Sequence, residues 1–204
     1  MLSLVKTPAS DPPQVRLLIV PGLHGSGADH WQTWLQAQQP GAVRIGVEDW
    51  GHADLDRWAG AIDDTLQRHP ADAWIAVAHS FGCLALAHHA RRGGRGVSGA
   101  LLVAPAAPER FGVDEGALSH ALPFASTLVV SANDPWMSHA DALYFGRRWG
   151  SEVVELGEAG HVNPATGYGP WPAALGWARQ HVQRVAATLR PRARAAAPAL
   201  GFAV

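Results

Sequence analysis

The feature that most constrains this chain is an alternation. Short apolar runs, each stopped by Pro, Gly or a small polar cluster, take turns with longer stretches whose apolar residues recur every three to four positions. The first run, "VRLLIVPG" at residues 15–22, is β-branched and ends at Pro21-Gly22, as a strand buried on both faces would. Trp31, Trp34 and Leu35 then recur at helical spacing before Pro40-Gly41. "AVRIGVEDW" reads as a second strand, and Leu55, Trp58, Ile62 and Leu66 form one stripe of a helix that Pro70 ends.

The pattern continues with the strand "AWIAVA", the helix "FGCLALAHHARR", and the strands "GALLVAPA" and "STLVVSAND". An irregular stretch from Pro105 to about Ala125 separates those two strands. "ADALYFGRRWG" reads as a helix, "SEVVELG" as a short strand and "PAALGWARQHVQRVAATL" as the closing helix. Strands alternating with helices imply right-handed βαβ crossovers, and so a doubly wound, mostly parallel, six-stranded sheet covered on both faces. There is no internal repeat and no second domain. Residues 15–189 are expected to form one α/β domain between an N-terminal extension, 1–14, and a tail, 190–204, whose Ala, Pro and Arg bias predicts disorder.

Composition narrows the partners. The 204 residues are nearly half apolar, enough for one proper core. A net charge of -1 carries no signature of nucleic acid or membrane binding. Cys83 is the only cysteine, which leaves no intrachain disulfide and no thiolate zinc cluster. No window approaches the ~18 uninterrupted apolar residues of a spanning helix. "MLSLVKTPASDPPQ" lacks the basic start and long apolar run of a signal peptide. A cytoplasmic protein is expected.

One junction carries chemistry. In "WIAVAHSFG", residues 74–82, a buried strand runs into Ser80 and then a helix. Ligands of doubly wound sheets bind beyond the carboxyl ends of the strands, and Ser80 falls at such an end. A tight strand-to-helix reversal there needs small residues two positions either side of the serine, and Ala78 and Gly82 meet the need. The pattern is that of a nucleophile elbow, with alanine in the first small position. On this stretch alone, a serine that merely caps the helix fits as well.

A nucleophilic serine requires a base to take its proton and an acid to orient that base. Behind an elbow, the acid and then the histidine are expected at later strand ends. Asp134, in "TLVVSANDPWM", lies just past one strand, and His161, in "VVELGEAGHVNP", lies in the loop after the last. Ser80, Asp134 and His161 are therefore the candidate triad. Asp134 before Pro135 also suits a plain turn, His161 is one of eleven histidines, and Asp114 and Glu115 are rival acids in the irregular segment. His79 adjoins Ser80 but is expected to point away from the elbow.

Acyl transfer also needs donors for a developing oxyanion. The N–H of Phe81, at the positive end of its helix, is one candidate. The N–H of Leu23 in "IVPGLHGSG" is the other, with His24 second. The same glycine-rich loop invites a phosphate-binding reading, but it has neither a Walker lysine nor dinucleotide-fold spacing. Scattered His and Asp residues match no metal-ligand spacing. No cofactor and no metal are expected. Of nine tryptophans, Trp50 and Trp136 each follow a strand end on the catalytic side and are candidates, with His24, for lining a substrate pocket.

With "IVPGLHGS", "AHSFG", "SANDPWM" and "GHVNP", the chain resembles the small α/β-hydrolases related to retinoblastoma-binding protein nine and their bacterial YdeN-like relatives, from about Val15 to about Gln183. The resemblance implies a single-domain α/β-hydrolase fold without a large lid domain, and a serine hydrolase using Ser80, Asp134 and His161. Asn163 matches the residue after the family's histidine, where a loop role is expected. Both esterase-like and peptidase-like activities go with the family. The expectation is a serine hydrolase acting on small or short-acyl esters. Its alternatives are amide or aminopeptide cleavage by the same triad, and a non-catalytic protein-binding module on the hydrolase fold. Sequence leaves the oligomeric state open.

Overall fold

The computed structural model describes residues 12–190; the tail beyond Arg190 and most of the N-terminal extension lie outside the described residues. Six strands form one sheet: β1 (Val15–Val20), β2 (Val43–Arg44), β3 (Ala73–His79), β4 (Val97–Val103), β5 (Ala125–Val130) and β6 (Glu152–Glu155). Their order is β2-β1-β3-β4-β5-β6, and every pairing is parallel. The expected strand beginning at Ala42 shrinks to Val43–Arg44 plus one further bond, from the Ile45 N–H to the Ile19 carbonyl. Gly46 follows, and glycine inside a strand run weakens pairing.

The helices are α1 (Trp31–Gln38), α2 (Leu55–Arg68), α3 (Phe81–Arg91), α4 (Glu115–Leu118), α5 (His139–Trp149) and α6 (Pro172–Leu189). The two sides of the strands explain their placement. Along β1, Leu18 and Val20 face a core built with Trp58, Ile62, Leu84 and Phe145 from α2, α3 and α5. Leu17 and Ile19 face the other core, with Trp31, Leu35, Leu175 and Ala178 from α1 and α6. This two-sided burial is why the strands read as unbroken apolar runs. The stretch from Pro105 to Ala125 holds only a 3-10 turn (Pro108–Phe111) and the single turn of α4, so the described residues contain no inserted lid domain. Nor is any described helix long and apolar enough to cross a membrane.

The chain makes β1, steps outward to β2 and then crosses back to β3. That reversal opens a crevice between the carboxyl ends of β1 and β3, the place where such sheets hold ligands.

Candidate active site

Ser80 is the first residue past β3, with φ 53° and ψ −125°. It occupies the N-cap position of α3, yet its side chain caps nothing. Two close approaches force this geometry. A Cβ on Gly82 would strike the carbonyl oxygens of Val20 and Pro21, and one on Gly22 would lie 2.7 Å from the Ser80 Cβ. Only glycine lets the loop after β1 close against the elbow.

The freed hydroxyl lies 2.9 Å from His161 Nε2. On the far side of the ring, His161 Nδ1 lies 2.9 and 3.0 Å from the two oxygens of Asp134. Asp134 accepts as a carboxylate, so Nδ1 carries the proton and Nε2 is left to accept from Ser80. The Asp134 side chain is 4% exposed, and its Oδ1 also accepts the Trp136 N–H at 2.8 Å. The structure thus brings together all three residues singled out from sequence. It gives the rival Asp114 other work, capping α4 through the Ala117 N–H. Cys83, three residues from Ser80, is fully buried, and burial pushes its thiol up and away from the reactive thiolate.

The loop carrying His161 is fastened to the loop carrying Asp134. Asn133 Oδ1 accepts the Gly160 N–H at 2.7 Å and the Ser131 hydroxyl at 3.0 Å, while the Ser131 Oγ accepts the Ala159 N–H at 3.0 Å. Small polar residues directly after a buried strand were the available signal for this clamp. Asn163 holds the next turn through its backbone, its N–H donating to Thr166 Oγ1 at 3.2 Å.

Among the described residues, neither the Leu23 N–H nor the Phe81 N–H has a protein acceptor, whereas the His24 N–H donates to the Trp50 carbonyl at 2.7 Å. Leu23, His24 and Ser80 line a cleft of about 380 Å³ together with Trp136 and Phe111. The Trp136 ring stands 5.7 Å from the His161 ring, with the Arg110 guanidinium 5.3 Å over its face. Trp50 does not line the cleft. Its ring packs edge-on against Trp58 at 5.2 Å and lies behind Gly25, where an added Cβ would meet it at 3.4 Å, supporting the loop after β1 from behind.

His79 also departs from expectation. It lies against His161, ring centroids 4.9 Å apart, and its Nε2–H donates to the His161 backbone carbonyl at 2.9 Å. His30 packs against His79 in turn. Burial, reinforced by the neighbouring His161 and His30, holds His79 well below the usual histidine range. Burial lowers His30 to about 4, helped by Arg44 and His161.

Gln32 is the residue sequence gave least reason to notice. Fully buried on α1, its amide donates to the Val20 carbonyl at 3.2 Å and the Val77 carbonyl at 2.9 Å. Its oxygen accepts from the Ser26 hydroxyl. One side chain thus ties the end of β1, the strand before the elbow and the glycine-rich loop together. A glutamine inside an apolar helical stripe was the only hint.

The fold and this site define an α/β-hydrolase. Residues 17–179 match the model of the Serine hydrolase family, and the chain belongs to that family. A YdeN-like hydrolase from Pectobacterium atrosepticum is 38% identical over 84% of this chain and 92% of its own, with a TM-score of 0.79. The ydeN gene product of B. subtilis shares the fold at 18% identity, covering 84% of this chain and 99% of its own, with a TM-score of 0.67. So does Thermogutta terrifontis esterase 2, at 15% identity, 90% and 87% coverage and a TM-score of 0.64. Comparison with curated proteins gave no match.

Proposed function

We propose that the chain is a carboxylesterase that cleaves small or short-acyl esters through an acyl-enzyme. His161 Nε2 takes the Ser80 proton as Oγ attacks the ester carbonyl, and Asp134 holds the ring and stabilises the imidazolium. The carbonyl oxygen becomes an oxyanion between the Leu23 and Phe81 N–H groups, the latter at the positive end of α3. Collapse expels the alcohol, protonated by His161, and leaves Ser80 acylated. Water, deprotonated by the same histidine, then releases the acid and restores the serine. A cleft of about 380 Å³, covered by no inserted domain among the described residues, suits small substrates.

The observation that carries this reading is the unbroken relay from Ser80 Oγ through His161 to Asp134, each contact about 3 Å. The test is intact-mass labelling with a fluorophosphonate probe on wild type, Ser80→Ala and His161→Ala. One adduct on wild type, mapped to Ser80, with both variants unlabelled, is expected. Ser80→Ala should also lower ester kcat/KM by at least about 10⁴-fold. An unlabelled but folded wild type would overturn the proposal. Faster turnover of aminoacyl-anilides than of 4-nitrophenyl acetate and butyrate would move the assignment to amide bonds.

A further inference from the structure

Two buried polar side chains that line the cleft have no part in the relay. His30 and His79 are 6% and 5% exposed, and both line the cleft. Their partners fix their tautomers. His30 Nδ1 accepts the Gln32 N–H at 3.1 Å, so its proton sits on Nε2. His79 Nε2 faces the His161 carbonyl, which can only accept, so His79 Nδ1 carries a lone pair. Neither His30 Nε2–H nor His79 Nδ1 has a partner among the described residues, and neither is sealed from solvent. In residues this buried, such atoms open to the cleft they line. A donor and an acceptor therefore stand side by side, unpaired, next to the catalytic histidine.

The chemistry selects what they bind. Both rings stay neutral at ordinary pH, because burial disfavours their charged forms. An ammonium group would meet the His30 N–H proton, and a carboxylate would meet the His79 lone pair. A hydroxyl satisfies both at once. The two rings stand edge to face with centroids 4.9 Å apart, close enough for one small group to touch both.

We propose that His30 and His79 form a hydroxyl subsite beside Ser80, so that the preferred esters carry a neutral hydroxyl in the acyl or alcohol part. This rests on the esterase reading and narrows its substrate class. Hydroxylated substrates gain because the hydroxyl replaces the pair's water contacts like for like, whereas a methyl group in that place strands a buried donor and acceptor.

The test uses matched esters: 4-nitrophenyl butyrate against its 2-, 3- and 4-hydroxy forms, and a propyl against a 2-hydroxyethyl ester. Binding is measured to Ser80→Ala, which holds esters without cleaving them, and kcat/KM is measured on wild type. At least one hydroxylated probe should bind about tenfold more tightly than its hydrocarbon counterpart. The gap should close when His30→Asn is added. Asparagine keeps the cap on α1 through its Oδ1, and its shorter side chain draws the remaining N–H donors back from the place of His30 Nε2. Equal or unmeasurable binding of every pair, or a gap that survives His30→Asn, overturns the subsite. Should wild type cleave none of these esters, the esterase reading falls, and the Ser80→Ala binding comparison still decides the subsite. A histidine ¹⁵N spectrum of wild type gives a check that needs no variant. His30 protonated on Nε2 is expected, and protonation on Nδ1 would overturn the assignment.

Discussion

The two edges of the sheet handle the same geometric problem differently. At the amino edge, the turns that need a positive φ use glycine: Gly41, Gly93, Gly96 and Gly150. The carboxyl-edge loops use glycine too, at Gly25, Gly112, Gly157, Gly160 and Gly167, but there, among the described residues, His24, Ser80, Ala104 and Val162 also adopt that conformation, which costs an L-residue of order 1 kcal/mol or more. All four lie in segments that follow strand ends around the cleft. The carboxyl edge also gathers buried polar side chains, with Gln32, His30, His79, Ser80, Ser131 and His161 all lying within a few residues of the crevice. One edge is built for economy. The other holds strain and buried polarity in place so that a few atoms point where a substrate can reach them.

The sharpest way to test how tightly the carboxyl edge is held is to make one substitution at the elbow and the same one on an exposed helix face. Gly82→Ala, at the elbow, should destabilise the fold by about 3 kcal/mol, because its new methyl meets two fixed backbone carbonyls. Chemical denaturation measures this, and a loss below about 1 kcal/mol would mean that the elbow relaxes easily. Gln32→Leu comes next. With three hydrogen bonds removed, about 2–3 kcal/mol of stability should go. If the glutamine positions the oxyanion loop against the elbow, kcat should fall further than KM rises. An unchanged kcat would reduce Gln32 to a structural tie.

The buried imidazoles supply a pH signature. Folding lowers the pKa of His30 to about 4, so between roughly pH 6.5 and 4 the unfolded chain binds a proton that the folded chain refuses. His30 therefore destabilises progressively as pH falls through that window, and His79, lowered well below the usual range, acts in the same sense. Urea midpoints followed from pH 7 to pH 4 should decline, and His30→Asn should flatten the slope by up to one proton. A wild-type slope unaltered by that substitution would place the proton uptake elsewhere. The smallest effect is expected far from the cleft. Gly176→Ala, on α6 with nothing within 4 Å of its new methyl, should raise stability by about 0.5–1 kcal/mol. The same glycine-to-alanine change would then act with opposite sign at the two places.

Much of this was legible in the chain. The strand and helix alternation gave all six strands and their carboxyl-end loops, and Ser80, Asp134 and His161 could be placed because each follows a strand that the apolar pattern marks. The edge strand was the weakest reading, because β2 has one neighbour and a glycine in its run. Trp50 looked equivalent to Trp136, as both follow strand ends. Their roles diverge because Trp50 packs against Trp58 while Trp136 stands beside His161. His79 was misjudged for a related reason. Alternation along a strand says which face a side chain takes, not that a loop from residue 161 will return over it.

By itself, then, the sequence determined the layers, the strand ends and the order in which Ser80, Asp134 and His161 follow them, since local periodicity and turn residues set these. Only the tertiary structure decided whether Ser80 caps a helix or meets a base. His161 lies 81 residues from Ser80 along the chain and 27 from Asp134, and no local pattern records a contact of that range. The same holds for His30, Gln32 and His79. Each is an ordinary polar residue in its own segment and gains its place in the cleft only when β1, β3 and the last loop are packed side by side.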